Sequence, residues 1–154
     1  RRWKGRIGGA ADPAIRPVAP DDLAAIEALD AAANGYLRRA FLSAWVAGSD
    51  TRRTGVLDEG GVWGHATARL CRRGAKVGPV IAPDAPSALR LARAALDAVG
   101  ATILAIDLPE SSAALAADLA ARGFTNSFTT ARMFRGRAPV SGPGLQAIAT
   151  MELG

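Results

Sequence analysis

Apolar residues recur along this chain with two alternating periods, and the points where the period switches divide it into elements. Leu23, Ile26 and Leu29 share one helical face behind Pro20, Asp21 and Asp22. That arrangement predicts a helix with proline in its first turn and carboxylates at its positive end. A short strand from Ile15 to Val18 precedes it. After Gly35, the residues Leu37, Phe41, Leu42 and Trp45 predict a second helix that ends near Gly48. The period then becomes extended: RRTGVLDEGGVWGHATARLCRR holds two strands joined as a hairpin at Glu59-Gly60-Gly61. AKVGPVIAP is the next strand, and Gly78-Pro79 within it marks a bulge or an irregular edge, because proline has no N–H to give a neighbour.

The second half alternates helices and strands. Leu89, Ala92, Leu96 and Val99 define one face of a helix over residues 86–99. TILAIDL is almost continuously apolar, the pattern of a strand buried on both faces. PESSAALAADLAAR predicts a helix capped near Ser111 or Ser112 and stopped at Gly123. FTNSFTTARMFR reads as a long strand, and LQAIATMEL as a last one beyond a Gly/Pro loop at residues 141–144. The order strand, helix, helix, three strands, helix, strand, helix, strand, strand implies a mixed sheet covered by helices, with right-handed crossovers in its strand–helix–strand units. Residues 1–13, RRWKGRIGGAADP, have no period and are rich in glycine and charge, so they read as a linker or tail ahead of a domain over 14–154.

Composition narrows the function classes. A chain of 154 residues builds one hydrophobic core, and 49% hydrophobic with 21% charged residues is an ordinary globular balance. Cys71 is the single cysteine, which excludes an internal disulfide, and no Cys/His cluster has metal-ligand spacing, so no metal is expected. No apolar run approaches the roughly 18 residues of a membrane span, and no charged-then-apolar leader is present. The cytoplasm is the expected compartment. The net charge of +5 includes arginine doublets at Arg38-Arg39, Arg52-Arg53 and Arg72-Arg73, which read as solvated strand ends and helix faces or, alternatively, as contacts for nucleic acid or an acidic ligand. With one tyrosine and four phenylalanines to stack on bases, nucleic acid is not the expected partner.

The ordered set GPVIAPDAPSALRLARAAL, TILAIDLP and LAARGF resembles the GNAT family of acetyl-CoA-dependent N-acetyltransferases, with coverage from about Ile15 to Leu153. ARGFTNSFTTARMFRG, VGPVIAPD and MELG are similar, more narrowly, to the C-terminal module of bacterial proteins that carry two such modules in tandem. On that resemblance RRWKGR is the tail of an upstream module. The fold implied is α/β (α+β), a mixed, mostly antiparallel twisted sheet of about seven strands with four helices. The activity implied is transfer of acetyl from acetyl-CoA to a small-molecule or protein amine. The alternative is a catalytically silent module that supports a tandem enzyme by packing, dimerisation or pocket formation, its partner being the upstream module or a second copy.

The resemblance also implies site residues. The strand before the central helix splays from the next strand, and the gap admits the pantetheine arm along the backbone of Val80, Ile81 and Ala82. The helix start at Ser87 and Ala88 then faces the pyrophosphate. The family's glycine-rich turn is replaced here by APDAPSAL, with Pro86 lacking an N–H and Asp84 placing negative charge where phosphate is expected. The family's tyrosine acid corresponds to Leu119. Glu59 and Asp107 are the carboxylates in family-like places for a catalytic base, with helix capping the structural alternative for Asp107. His65, the sole histidine, reads as a satisfied structural residue in its strand. The gap beside Val80 is expected either to take an extended ligand, with Arg69, Arg72 and Arg132 near it, or to be filled by side chains such as Leu104 and Phe128.

Overall fold

The computed structural model describes residues 1–151. In chain order its strands and helices are β1 (Arg2–Arg6), β2 (Ile15–Pro17), a 3-10 turn (Pro20–Asp22), α1 (Leu23–Asn34), α2 (Arg39–Val46), β3 (Arg52–Asp58), β4 (Val62–Leu70), β5 (Ala75–Ile81), α3 (Ala85–Ala98), β6 (Ile103–Asp107), α4 (Ala113–Ala121), β7 (Thr125–Phe128) and β8 (Leu145–Ala147). The strands form one mixed sheet in the order β2-β3-β4-β5-β6-β1-β7, and β8 is a further partner of β5. Every pairing is antiparallel except that of β5 with β6, which α3 connects as a crossover. The α/β architecture expected from the order of periods is therefore present, with eight strands and four α-helices among the described residues.

The additional strand is β1. Arg2–Arg6, read from the sequence as linker, lie between β6 and β7 and pair with both. Their inward face consists of Trp3, which packs on the main core, and Gly5, which abuts the Phe124 ring. Three basic residues alternate with them, so one bulky apolar side chain is too little to register as a period. The long strand expected over FTNSFTTARMFR is shortened to Thr125–Phe128, since β7 is the edge of the sheet and residues 129–138 run on exposed without regular pairing. The last strand is likewise three residues, Leu145–Ala147; Glu152 and Leu153, included in its expected span, lie outside the described residues.

Two layers of helix cover the sheet. α3 and α4 bury Leu89, Leu91, Leu96, Leu115 and Leu119 against Leu57, Val77, Val80, Leu104 and Ile106, and this apolar burial is the main drive to fold. On the other face Ile26 of α1 with Leu42 and Val46 of α2 cover Val56 of β3. The start of α1 is fixed by Asp22, whose carboxylate accepts the Ala19 amide at 2.7 Å while Arg16 clamps both of its oxygens at 2.7 and 2.9 Å.

Polar groups are buried beneath α1. Arg38 and the fully buried Asp30 form a two-pronged ion pair at 2.7 and 2.8 Å. His65 of β4, paired opposite Val56 and Ile81, is completely buried, and neither of its ring nitrogens has a hydrogen-bond partner; the expectation of a satisfied histidine is corrected. Burial lowers its pKa from 6.5 to about 4, opposed by the Asp30 charge and aided by that of Arg38. The unfolded chain thus takes up a proton near pH 6.5 that the native fold refuses until about pH 4. Stability is full above that window and falls by about 3 kcal/mol as pH drops through it. Urea unfolding between pH 7 and pH 4 is expected to show that loss in the native sequence and not in His65→Leu; equal slopes in the two proteins would refute the assignment.

Candidate active site

The parallel pairing of β5 with β6 is brief. It joins Ala75, Lys76 and Val77 to Leu104, Ala105 and Ile106 and then stops, while β5 runs on to Ile81. The Gly78–Pro79 peptide, which is cis, lies where the strands part. The carbonyl of Gly78 is met by the indole N–H of Trp45 from α2 at 3.1 Å. This is the splay expected beside Val80, and it is filled by main chain. Residues 142–148, hereafter the strap, enter it as β8: Val80 pairs with Ala147 and Ile81 with Leu145, and the Ala82 amide donates to Gly144 O at 3.0 Å. The strap bonds the opposite wall too, through the Ile148 amide to Asp107 O at 2.9 Å.

Further contacts seat the strap at both ends. The Gly142 amide caps the Ala33 carbonyl of α1 at 2.9 Å, and Ser112 Oγ, at the start of α4, donates to Leu145 O at 3.0 Å. Two glycines allow the approach: a Cβ on Gly142 would overlap the Ala32 carbonyl oxygen, and one on Gly78 would overlap that of Ile148. Leu104 and Phe128, the side chains expected as possible filling, are elsewhere. Leu104 belongs to the core under α3, and Phe128 is 55% exposed on β7. Val80, Ile81 and Ala82 are all buried, with the edge they turn to the gap engaged by β8.

Beyond Ala82 the chain turns into α3. Asp84 is its N-cap, accepting the Ser87 amide at 2.7 Å, and the Ala88 amide bonds the Asp84 carbonyl. The Ser87 amide, then its side chain, hold the Asp84 carboxyl below the usual range, so it is ionised at neutral pH. Pro86 contributes no donor. An anion arriving here meets a resident carboxylate on Ser87 instead of a free N–H. A pantetheine arm would need the path that β8 takes, and a diphosphate the amide that Asp84 holds, so these residues as arranged do not fit acetyl-CoA.

The two candidate bases lie apart, each already committed. Glu59, at the β3–β4 turn, pairs with Arg90 of α3 at 3.2 Å, and Arg90 also grips Asp12. Asp107 ends β6 and caps no helix; its carboxylate, wholly buried, is bound by Arg2 at 2.7 and 2.9 Å and by Lys76 at 2.5 Å. Burial works against its ionisation, yet the bonds from Arg2 and Lys76 outweigh that and hold its pKa below the ordinary value. Such a carboxylate is a poor proton acceptor at neutral pH. Arg2 and Lys76 are partners that sequence reading missed. The only signal was a lysine inside an apolar strand, which needs a counter-charge.

Around this cluster the surface is basic. Register lines up Arg69, Lys76, Ala105 and Lys4 across β4, β5, β6 and β1. Arg2, Lys4, Lys76, Arg72, Arg73 and the exposed Cys71 line a groove of about 640 Å³. Arg132 lies over Phe134, 3.5 Å from the Tyr36 hydroxyl, and shares a cavity with Leu108 and Ile148 at the end of the gap. Leu119 is fully buried in the core. Among the described residues no three His, Cys, Asp or Glu side chains come together to hold a metal, and no helix is long and apolar enough to cross a membrane.

Asp107→Asn strands the buried Lys76 and is expected to cost about 3–5 kcal/mol, read as a lower urea midpoint. Adding Lys76→Met should recover most of it. A loss below about 1 kcal/mol for the single change would show that the cluster does not hold the sheet together. Because the Asp107 pKa is depressed, its contribution is present above about pH 4 and is lost below it, a window separate from that of His65.

A model of the acetyltransferase (GNAT) domain matches residues 26–144, from α1 to the loop before β8. Holothin acyltransferase from Pseudoalteromonas sp. (strain SANK 73390) is 31% identical over 143 residues, which cover 91% of this chain and 48% of that protein. The chain therefore spans about half the length of this curated relative. The sheet that opens between β5 and β6, the helix that follows its open end and the match across most of the sequence lead to one conclusion: the chain belongs to the GNAT acetyltransferase family.

Proposed function

We propose that this chain is a module of an enzyme that moves an acyl group from acyl-CoA, acetyl-CoA in the first instance, to a small-molecule or protein amine. The observation that carries this reading is the parallel β5–β6 pair that parts after Val77, with α3 beginning just past the open end of β5. Alongside that end, a groove of about 560 Å³ runs between α3 and α4, lined by Pro86, Leu89, Arg93 and the ion pairs Arg90–Asp12 and Arg122–Asp118. The similarity to an acyltransferase over most of this chain supports the same reaction class. An enzyme fed by acyl-CoA would work in a bacterial cytoplasm. Because the chain spans about half of that relative, a second module or a second copy is proposed as its partner in the working enzyme.

A second reading rests on a specific observation. With β8 in the gap and Asp84 on the Ser87 amide, the same fold serves as a supporting module whose own donor site is closed. Calorimetric titration with acetyl-CoA separates the two. Asp84→Asn keeps a competent helix cap while removing the charge, so unfolding stability should hold within about 0.5 kcal/mol. Affinity for acetyl-CoA should rise about threefold to tenfold, as expected when one like charge is removed beside a phosphate. Unchanged affinity would place the phosphates elsewhere, and no heat from either protein would favour the supporting module.

A further inference from the structure

We propose that the strap is a built-in competitor for the acyl-CoA arm: the β5–β6 gap binds extended polypeptide, and this chain supplies that ligand itself. The inference rests on the reading of the gap as a donor site. It is carried by the completeness of the occupation. The strap takes the free edge of β5 through Val80–Ala147, Ile81–Leu145 and the Ala82 amide, and the far wall through Ile148 and Asp107 O. Leu145 and Ala147 are 2% and 0% exposed, so the gap has no remaining room for a second extended chain. An acyl-CoA arm is an extended chain carrying two amides. To line the same edge it would need the hydrogen-bond positions that the strap holds, and the two ligands exclude each other.

The way the strap is attached makes its departure separable from unfolding. It reaches the gap through residues 129–138, exposed and without regular pairing, so its leading end can move without dismantling β7 or β1. Its fixings beyond the strand pairing are few: Gly142 to Ala33 at the end of α1, Ser112 to Leu145 at the start of α4, the Gln146 amide to Ala82 O, and the packing of Leu145 and Ile148 on Leu29 and Ala33 of α1. None belongs to the ladder of β2-β3-β4-β5-β6-β1-β7. A donor that binds must recover what those bonds and the buried Leu145 contribute, so apparent affinity falls by the fraction of molecules whose strap is out.

The test uses the full chain in two variants that push the strap out without touching the walls. Gly142→Ala sets a methyl against the Ala32 carbonyl, and Ala147→Asp buries a charge in the gap. Acetyl-CoA binding is measured by calorimetry, and amide exchange is followed at Gly142 and Ile148, with Val77 and Ile106 as controls for the body of the sheet. Both variants are expected to bind acetyl-CoA at least about tenfold more tightly than the native chain. Saturating the native chain should make the Gly142 and Ile148 amides exchange faster while Val77 and Ile106 stay protected. Equal affinity in all three proteins, with Ile148 still protected in the complex, would overturn the competition alone, since donor and strap would then coexist. Protection retained at Gly142 and Ile148 in both variants would overturn it as well, because the strap would not be a separable strand. Variants whose strap is released but which bind no acetyl-CoA would overturn the donor site itself and this inference with it.

Discussion

Parallel strands that part inside a sheet leave backbone N–H and C=O groups facing a gap, and a buried gap cannot leave them unpaired. That constraint governs this molecule from Gly78 to Ala82. One carbonyl is met by the Trp45 indole, and the remaining edge of β5 is met by a strand from residues far along the chain. An opening of this geometry is a place for any extended, amide-bearing chain, a peptide included. Here the occupant is a peptide, and it has the advantage of being tethered to its site.

Asp107 connects that constraint to the rest of the sheet. Its carboxylate ties β1 through Arg2 and β5 through Lys76, and its carbonyl accepts the Ile148 amide. One residue at the end of β6 therefore joins the strand before the gap, the strand beyond it and the chain within it. The two carboxylate contacts explain why it is unsuited to removing a proton from an amine: two cations hold it ionised and lower its affinity for a proton. Asp107 is a structural joint of the sheet.

Much of the fold was legible because most elements carry their own signal. The helix of residues 86–99, the Glu59-Gly60-Gly61 hairpin and the apolar TILAIDL strand each have a local pattern, and each lies within a residue or two of its expected bounds. The opening beside Val80 was legible from Gly78-Pro79. What filled it was not: LQAIA reads as a strand from its apolar residues, but a strand's pattern says nothing of its partner. Arg2–Arg6 escaped because a strand that buries a tryptophan and a glycine between arginines and a lysine has no period. Asp107 was legible as a polar residue closing a buried strand, whereas its role needed Arg2 and Lys76, more than a hundred and about thirty residues away in sequence. Isolated charges have no pattern; only their juxtaposition gives them meaning.

The position of β1 bears on how the molecule comes together in time. Its neighbours on either side are β6 and β7, so the interior of the sheet is closed by a segment that leaves the ribosome before either of them. Until residues 103–107 have been made, Arg2–Arg6 have nothing to pair with, and until residues 125–128 follow, the far side of β1 is an open edge. Contacts of such long sequence separation are entropically costly to form early, which places completion of the sheet late in folding. A nascent chain stalled before β7 would have β6 already flanked by β5 and β1, and its exposed edge would be the basic strand Arg2–Arg6, whose charges discourage pairing with another chain.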